Sequence, residues 1–146
     1  MIFFSKTLQI DSTEKLEFFD ITREVTESIS ASKVRNGLVN VFTRHTTTAL
    51  RINENEPRFL EDLKLFLEQH APRNGNYLHD DIDERDVSVD EQVNGHSHLK
   101  QIMLATSETI PIIDSKMCLG KYQSILFIEL DGPRLGNVTI HIQGEK

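Results

Sequence analysis

A clear helical pattern follows Pro57. Its apolar positions, which lie three and four residues apart, are Phe59, Leu60, Leu63, Phe66 and Leu67. This spacing places them on one face of a helix, and a proline is suited to the first helical turn. We expect the helix to end near Ala71-Pro72, since a proline cannot continue a helix.

Two further segments have helical spacing. In the first, the residues that recur every four positions are Ile21, Val25 and Ile29. We expect this helix to end near Asn36-Gly37, because asparagine and glycine favour the left-handed conformation that closes a helix. A shorter helix is predicted over Leu99–Met103, entered through Asn94-Gly95. The helices at Ile21 and Pro57 are the two principal ones.

The other apolar segments are rich in β-branched and aromatic residues or alternate with polar ones, which is typical of strands. Strands are predicted at Leu8–Ile10, Leu16–Ile21, Leu38–Thr43, Thr46–Ile52, Ile110–Ile112, Tyr122–Leu130 and Val138–Ile142. The first two are expected to form a hairpin. The stretch from Arg73 to Gly95 has no apolar periodicity and is predicted to be a long loop. These elements indicate one α+β domain over residues 1–146.

Length and composition narrow the class of protein. The chain has 146 residues, of which 38% are hydrophobic and 27% charged, as expected for one globular domain. Its net charge of −7 argues against nucleic acid as a partner. Cys118 is the single cysteine and cannot form an internal disulfide. No apolar run is long enough for a signal peptide or a membrane span, so we expect a cytoplasmic protein with no membrane partner.

Three histidines stand beside loops or element ends and are candidate metal ligands: His45, His79 and His98. A zinc site needs about three or four converging side chains, and sequence distance does not forbid convergence. For any one histidine, a polar surface position or a hydrogen-bonded core position is the commoner role. Such roles are favoured for the remaining three, which are His70, His96 and His141.

Two short segments carry groups that suit a phosphate. Thr47 lies in a run of three threonines, and Arg134 closes Asp131-Gly132-Pro133-Arg134. Hydroxyl groups donate single hydrogen bonds to phosphate oxygens, and a guanidinium binds two at once. The second segment is also an ordinary turn sequence.

The acidic cluster from Asp80 to Glu91 lacks the pattern of a calcium-binding EF-hand and is typical of a solvated loop.

Several short blocks occur together in a characteristic order. They are His45–Ala49, Asn53–Pro57 with Asp62-Leu63, Tyr77 with His79, His98–Lys100, Ser107–Pro111, Leu119-Gly120 with Gln123, and Asp131–Arg134. In order and spacing the chain resembles the YjbQ family, also called secondary thiamine-phosphate synthases. It departs from the family pattern at Lys121 and Tyr122, where threonine and tryptophan are usual, and at Ser115, where glycine is usual.

The resemblance implies a small α+β protein built mostly of antiparallel sheets, sandwich-like, that assembles as a homotrimer. A trimer would also cover the open edges expected of the terminal strands. The resemblance places His45, His79 and His98 around a metal or anion site. It assigns weaker roles to Asn53, Glu54 and Arg134. The metal would be zinc, or magnesium carried by a diphosphate substrate.

Three functions agree with these residues. The first is a transferase like thiamine-phosphate synthase, with Arg134, the threonines and a metal binding the diphosphate. The second is a metal-dependent hydrolase of a phosphorylated or acylated metabolite, with Glu54 as the base. The third is a metal-binding or metabolite-binding protein without catalysis. Turnover of a small phosphorylated substrate separates the first two from the third.

Overall fold

Eight strands and three α-helices make up the computed structural model, which describes all 146 residues. The strands are β1 Ile2–Asp11, β2 Glu17–Asp20, β3 Asn36–Thr43, β4 Thr48–Asn53, β5 Ser107–Ile113, β6 Lys116–Met117, β7 Ser124–Glu129 and β8 Leu135–Glu145. The helices are α1 Thr22–Ser32, α2 Pro57–His70 and α3 Gly95–Met103. The predicted α+β class is confirmed, and the two principal helices and the shorter third helix are all present.

All the strands pair antiparallel, and they form two sheets. The larger sheet has the order β1-β8-β3-β5-β6, and the smaller one has the order β2-β7-β4. Alternate residues of β8, at Val138, Ile140 and Ile142, are fully buried. They pack in one core cluster with Phe127 of the smaller sheet and Val25 of α1. The two sheets therefore enclose the main core between them, as in a sandwich.

Helix α2 covers the other face of the smaller sheet. Its buried Leu67 packs in a second cluster with Leu126 and Ile128 of β7. The side chain of Glu56 accepts hydrogen bonds from the backbone N–H groups of Arg58 and Phe59, so it caps the helix where the sequence predicts its start. No helix in the structure has the length and apolar character needed to cross a membrane.

Two predictions about local structure are wrong. Strands β1 and β2 do not form a hairpin, because β1 pairs with β8 and β2 pairs with β7 in the other sheet. Helix α1 ends at Ser32, four residues before Asn36, which already begins β3. Lys33 supplies the left-handed residue, with a φ of 62°, that was expected from the asparagine and glycine.

The predicted open edges are only half correct. Strand β1 is an edge strand, but β8 lies inside the larger sheet and pairs with both β1 and β3. The polar stretch between α2 and α3 is the predicted loop, and it contains two short 3-10 helices at Leu78–Asp80 and Ile82–Glu84.

Gly37 and Gly144 face each other across β3 and β8. A Cβ on Gly144 would lie 2.3 Å from the carbonyl oxygen of Asn36, so the two backbones leave no room for a side chain. We predict that Gly144→Ala lowers the free energy of unfolding by about 2 kcal/mol or more, because backbone atoms must move to relieve the overlap. Urea unfolding measures this.

The matched control is Gly120→Ala. There the new Cβ would meet the flexible Gln123 side chain at 3.3 Å, so the loss should be well below that of Gly144→Ala. Equal losses at the two positions would contradict this account.

Candidate functional site

Four segments meet at one end of the smaller sheet. They are the turn before β4, the turn between β7 and β8, the first 3-10 helix and the first turn of α3. The backbone N–H of Leu130 donates to the carbonyl of Thr47, and the hydroxyl of Ser97 donates to the carbonyl of Leu130 over 2.6 Å. We call the polar group gathered here the arginine–histidine site, made of His45, Thr47, His79, His98, Asp131 and Arg134.

Arg134 is held in one orientation by two neighbours. Its Nε donates to Glu129, 3.1 Å away, and its Nη2 donates to the hydroxyl oxygen of Thr47. The Glu129 carboxylate is completely buried and accepts a second hydrogen bond from the N–H of Asp131. Because Nη1 makes no hydrogen bond, and because Thr47 accepts through its oxygen, one guanidinium nitrogen and one hydroxyl hydrogen stay free for a ligand.

The main chain of Arg134 is fixed as well. The hydroxyl of Ser12 accepts from the Arg134 N–H at 2.9 Å and donates to the Arg134 carbonyl at 3.0 Å. A Cβ on Gly132 would lie 2.1 Å from the carbonyl oxygen of Glu14, so this turn needs glycine there. The predicted turn therefore also holds the backbone of Arg134 in a fixed position.

The hydrogen bonding of His45 determines its tautomer. The backbone N–H of Asn137 donates to His45 Nε2 over 3.1 Å, so Nε2 carries no proton and Nδ1 does. Burial lowers the pKa of His45, and the nearby Arg134 lowers it further. At neutral pH His45 is an uncharged imidazole whose Nδ1–H is a hydrogen-bond donor.

The structure brings His79 and His98 into contact. Their ring centroids are 4.5 Å apart. Burial lowers the pKa of His98, the adjacent His79 adds to this, and a hydrogen bond with the backbone of Thr46 acts in the opposite direction. The Nδ1 of His79 is buried without a hydrogen-bond partner, and the nearest carboxylate, Asp80, lies 3.7 Å from it.

Helix α3 is anchored at its first turn. The Asp80 carboxylate accepts from the backbone N–H of Gly95 at 2.9 Å, and Asn94 donates to Asp131 at 2.7 Å. A Cβ on Gly95 would lie 2.8 Å from Tyr77, so the close approach of the loop requires glycine. These contacts place His98 opposite His79.

A three-histidine zinc centre does not fit this arrangement. No group of three or more histidine, cysteine or acidic side chains is positioned to share a metal ion. His45 already uses Nε2 to accept from Asn137, so a metal on Nδ1 would require loss of the ring proton. Only His79 and His98 are side by side.

Glu54 lies elsewhere. It follows the end of β4 that pairs with Ser124, whereas Thr48 at the other end pairs with Glu129. Five residues of extended chain separate these ends by roughly 17 Å. Glu54 lines a separate cavity of about 380 Å³, together with Ile52, Asn53, Tyr122 and Gln123. Within one chain the predicted base is therefore not brought to the histidines.

The departures from the family pattern also fall away from the arginine–histidine site. Tyr122 lines the Glu54 cavity, and the ammonium of Lys121 lies 5.4 Å from the centre of its ring. Ser115 has a φ of 66°, a left-handed conformation that favours glycine, which accounts for the usual residue there.

A buried polar group beside the site was missed by the sequence reasoning. Lys100 is only 2% exposed, and its ammonium donates to Glu68 at 3.0 Å. It also lies 3.4 Å from Nδ1 of the buried His96, one turn earlier on α3. The sequence around Lys100 does not indicate that this lysine is buried, because its burial depends on the carboxylate of Glu68 on α2.

The other two histidines have the structural or surface positions expected. Nδ1 of His70 lies 2.8 Å from the carbonyl oxygen of Phe66 at the end of α2. His141 faces away from the core on β8, where its Nδ1 lies 2.7 Å from the hydroxyl of Ser5.

The chain matches the family described as "UPF0047 protein YjbQ-like" over residues 6–145. It is 39% identical to a UPF0047 protein of Methanothermobacter thermautotrophicus, over 97% of this chain and 93% of that protein. It is 30% identical to the YjbQ protein of Escherichia coli O157:H7, over 85% of each chain. The chain belongs to the YjbQ/UPF0047 family.

Solved structures agree with this assignment. A YbjQ-like protein of unknown function from Sulfolobus solfataricus superposes with a TM-score of 0.89 at 28% identity, and 98% of each chain is covered. A hypothetical protein of Aeropyrum pernix gives a TM-score of 0.87 at 33% identity, with coverage of 97% of this chain and 98% of the other. The fold described above is that of the family.

The Glu68–Lys100 pair gives stability a defined pH dependence. Burial would raise the pKa of Glu68, but hydrogen bonds from the Arg73 N–H and the Lys100 ammonium lower it below the ordinary 4.5. A carboxyl whose pKa is lower in the folded state adds stability above its unfolded pKa and loses it as the pH falls. We predict that Glu68→Gln lowers the melting temperature at pH 7 and that this difference shrinks below pH 4.5.

Melting curves from pH 3 to 7 measure this difference. Glu61→Gln is the matched control, since Glu61 makes an exposed pair with Lys64 on the same helix and should change little at any pH. A Glu68→Gln difference that stays constant across this range would refute the linkage.

Proposed function

We propose that the arginine–histidine site binds the phosphate groups of a small phosphorylated metabolite. The observation that carries this proposal is the Arg134 guanidinium, which is fixed by Glu129 and Thr47 and keeps one nitrogen free. The Thr47 hydroxyl, which Arg134 contacts, and the Nδ1–H of His45, which lies two residues before Thr47 in the chain, are further donors. A preorganised guanidinium with neutral donors beside it suits an oxyanion.

The reaction that this site supports best is a group transfer like that of thiamine-phosphate synthase. A ring nitrogen of a thiazole phosphate forms a C–N bond with the methylene carbon of a pyrimidine methyl diphosphate. The C–O bond to the diphosphate breaks, and pyrophosphate leaves with the electron pair. Arg134 and its neighbouring donors would stabilise the charge that grows on the leaving group.

A buried carboxylate next to the arginine matters for this role. Glu129 neutralises the guanidinium charge in the free protein, so the pair is tolerated without ligand. Anion binding then depends on the orientation of the hydrogen-bond donors as much as on charge. These donors are already held in place, so they need little reorganisation when the anion binds. Donors that are already oriented stabilise a transition state better than water does, because water molecules must first reorganise around the developing charge.

A second proposal concerns metal. His79 and His98 are in contact, and Nδ1 of His79 is buried without a hydrogen-bond partner, so the two rings could supply two ligands to a divalent ion, zinc above all. A ligand or solvent would have to complete the set. Magnesium would instead arrive with a diphosphate, since it binds mainly to phosphate oxygens and one or two carboxylates. This proposal would favour the hydrolase alternative.

Assembly is a third proposal. From the family resemblance we propose a homotrimer, and the unpaired outer edge of β1 leaves a strand that a neighbour can cover. In an oligomer, a neighbouring chain could bring its own Glu54 to this arginine–histidine site.

Pyrophosphate binding tests the phosphate proposal. We predict that Arg134→Lys weakens binding by about tenfold or more, because a lysine keeps the charge but cannot contact Glu129 and Thr47 and still direct a nitrogen at the ligand. Isothermal titration calorimetry with inorganic pyrophosphate measures the change. Arg51→Lys is the matched control, since this arginine is half exposed on β4 and pairs with Glu108. Equal affinities for the wild type and Arg134→Lys would overturn the proposal.

The histidines divide into two sets in the same assay. Alanine at His45, His79 or His98 should weaken pyrophosphate binding, whereas His70→Ala and His141→Ala should not. Rescue of a thiamine auxotroph by the overproduced protein tests the transfer reaction itself. Full rescue by a His98→Ala variant would show that the arginine–histidine site does not carry out the reaction.

Elemental analysis tests the metal proposal. Protein purified without chelator should carry a divalent metal, and the content should fall in both His79→Ala and His98→Ala but remain in His70→Ala. Absence of metal, together with a melting temperature that added zinc does not raise, would leave the site as an anion site alone.

A further inference from the structure

The cavity beside Glu54 lies where strand β4 ends and strand β7 begins. Asn53, the last residue of β4, pairs with Ser124, the first residue of β7, so Gln123 adjoins this pair. The cavity has a volume of about 380 Å³, and its lining residues are Ile52, Asn53, Glu54, Tyr122 and Gln123. Pockets that bind small ligands have volumes of roughly 300 to 1,000 Å³. The cavity is therefore large enough for a small organic molecule.

The two amide side chains in this cavity are held by the backbone through their oxygens. Oδ1 of Asn53 accepts from the N–H of Glu54, and Oε1 of Gln123 accepts from the N–H of Gly120, both over 2.7 Å. These hydrogen bonds set the orientation of each amide, so its NH2 group is the end left without a partner in the chain. The cavity thus contains two neutral hydrogen-bond donors that a ligand can use.

Glu54 is the one charged residue that lines the cavity. Its backbone is held by Asn53, and the side chain of the next residue, Asn55, donates to Asp20 at 3.1 Å. Its carboxylate makes no hydrogen bond or ion pair within the chain and is a free acceptor. Because a carboxylate repels anions, the cavity favours a neutral or cationic ligand with an N–H or O–H donor.

Tyr122 adds an aromatic surface to these polar groups. The residue is 66% exposed, and the Lys121 ammonium lies over its ring, 5.4 Å from the ring centre. The lysine covers one face of the ring, so the other face is open to a flat ligand. An exposed aromatic ring beside hydrogen-bonding groups stacks well on planar heterocycles.

We propose that this cavity binds the amino-substituted base of a nucleoside, such as adenosine or cytidine. Glu54 accepts from the exocyclic amine, the NH2 groups of Asn53 and Gln123 donate to ring nitrogens, and the base stacks on Tyr122. Carboxylates accept from exocyclic amines, and amide groups pair with ring nitrogens, where proteins read bases directly. Adenine and cytosine fit because each carries an amine next to an unprotonated ring nitrogen.

This site is separate from the arginine–histidine site and takes a different chemical group. The arginine–histidine site has a guanidinium and suits an oxyanion, whereas the Glu54 cavity has a carboxylate and suits the uncharged base. The inference therefore goes beyond the proposed phosphate binding and does not depend on it.

Adenosine and inosine are matched ligands for testing the proposal. Inosine has a carbonyl oxygen in place of the amine, and this oxygen would face the Glu54 carboxylate. We expect adenosine to bind the full chain with a Kd of about 1 mM or tighter, and inosine to bind at least about tenfold more weakly, because the carboxylate would lose its donor. Isothermal titration calorimetry measures both affinities.

Two variants assign the effect to the cavity. Glu54→Gln should reduce the preference for adenosine over inosine to about twofold or less, since a glutamine can donate to a carbonyl as well as accept from an amine. Tyr122→Leu should weaken the binding of adenosine by about tenfold, because the stacking surface is lost. Both residues are exposed, and circular dichroism checks that each variant folds.

The control variants separate this proposal from the others. Glu61→Gln removes an exposed carboxylate on α2 and should leave both nucleoside affinities unchanged. Arg134→Lys should weaken pyrophosphate binding but not adenosine binding, so the two sites succeed or fail separately. Absence of adenosine binding at about 10 mM, roughly tenfold above the expected Kd, would overturn the proposal. Equal affinities for adenosine and inosine, or wild-type affinities in Glu54→Gln and Tyr122→Leu, would overturn it as well.

Discussion

The burial of one carboxylate constrains much of this structure. Glu129 is completely buried at the end of β7, and an isolated buried charge would cost several kcal/mol. Arg134, five residues later, supplies the partner, and Ser12 holds the arginine's backbone. Since β7 belongs to the smaller sheet and β8 to the larger one, this ion pair stands where the chain crosses between the sheets. The same contact fixes the crossing and aims the guanidinium.

The parts of the fold that depend on neighbouring residues could be predicted from the sequence. Helix α2 shows its apolar face and its proline, and β8 alternates from Val138 to Ile142. The hairpin prediction was wrong because strand partners are chosen across the whole chain. Nothing near Leu8 indicates that its partner is Val138. The end of α1 was misplaced because Lys33 adopted a conformation that glycine or asparagine usually supplies.

The candidate site could be predicted only as a set of residue types. Arg134, Thr47 and the three histidines were selected from the sequence, and the structure places His79 beside His98. The tautomer of His45 could not be predicted, because it depends on the N–H of Asn137, a residue 92 positions away. Glu129 was not selected, because it ends an apolar strand. A single acid in a buried strand nevertheless predicts a basic or hydrogen-bonding partner, because an unpaired buried charge is costly.

The position of β8 has a consequence for how the protein is made. The last long strand of the chain lies between β1, the first strand, and β3. During synthesis, β1 is made first, and more than a hundred further residues are added before its partner β8 is complete. During that time its backbone groups and the apolar side of β3 are without their final neighbour. The larger sheet therefore cannot form until β8 has been synthesised, and its folding depends on contacts between residues far apart in the chain.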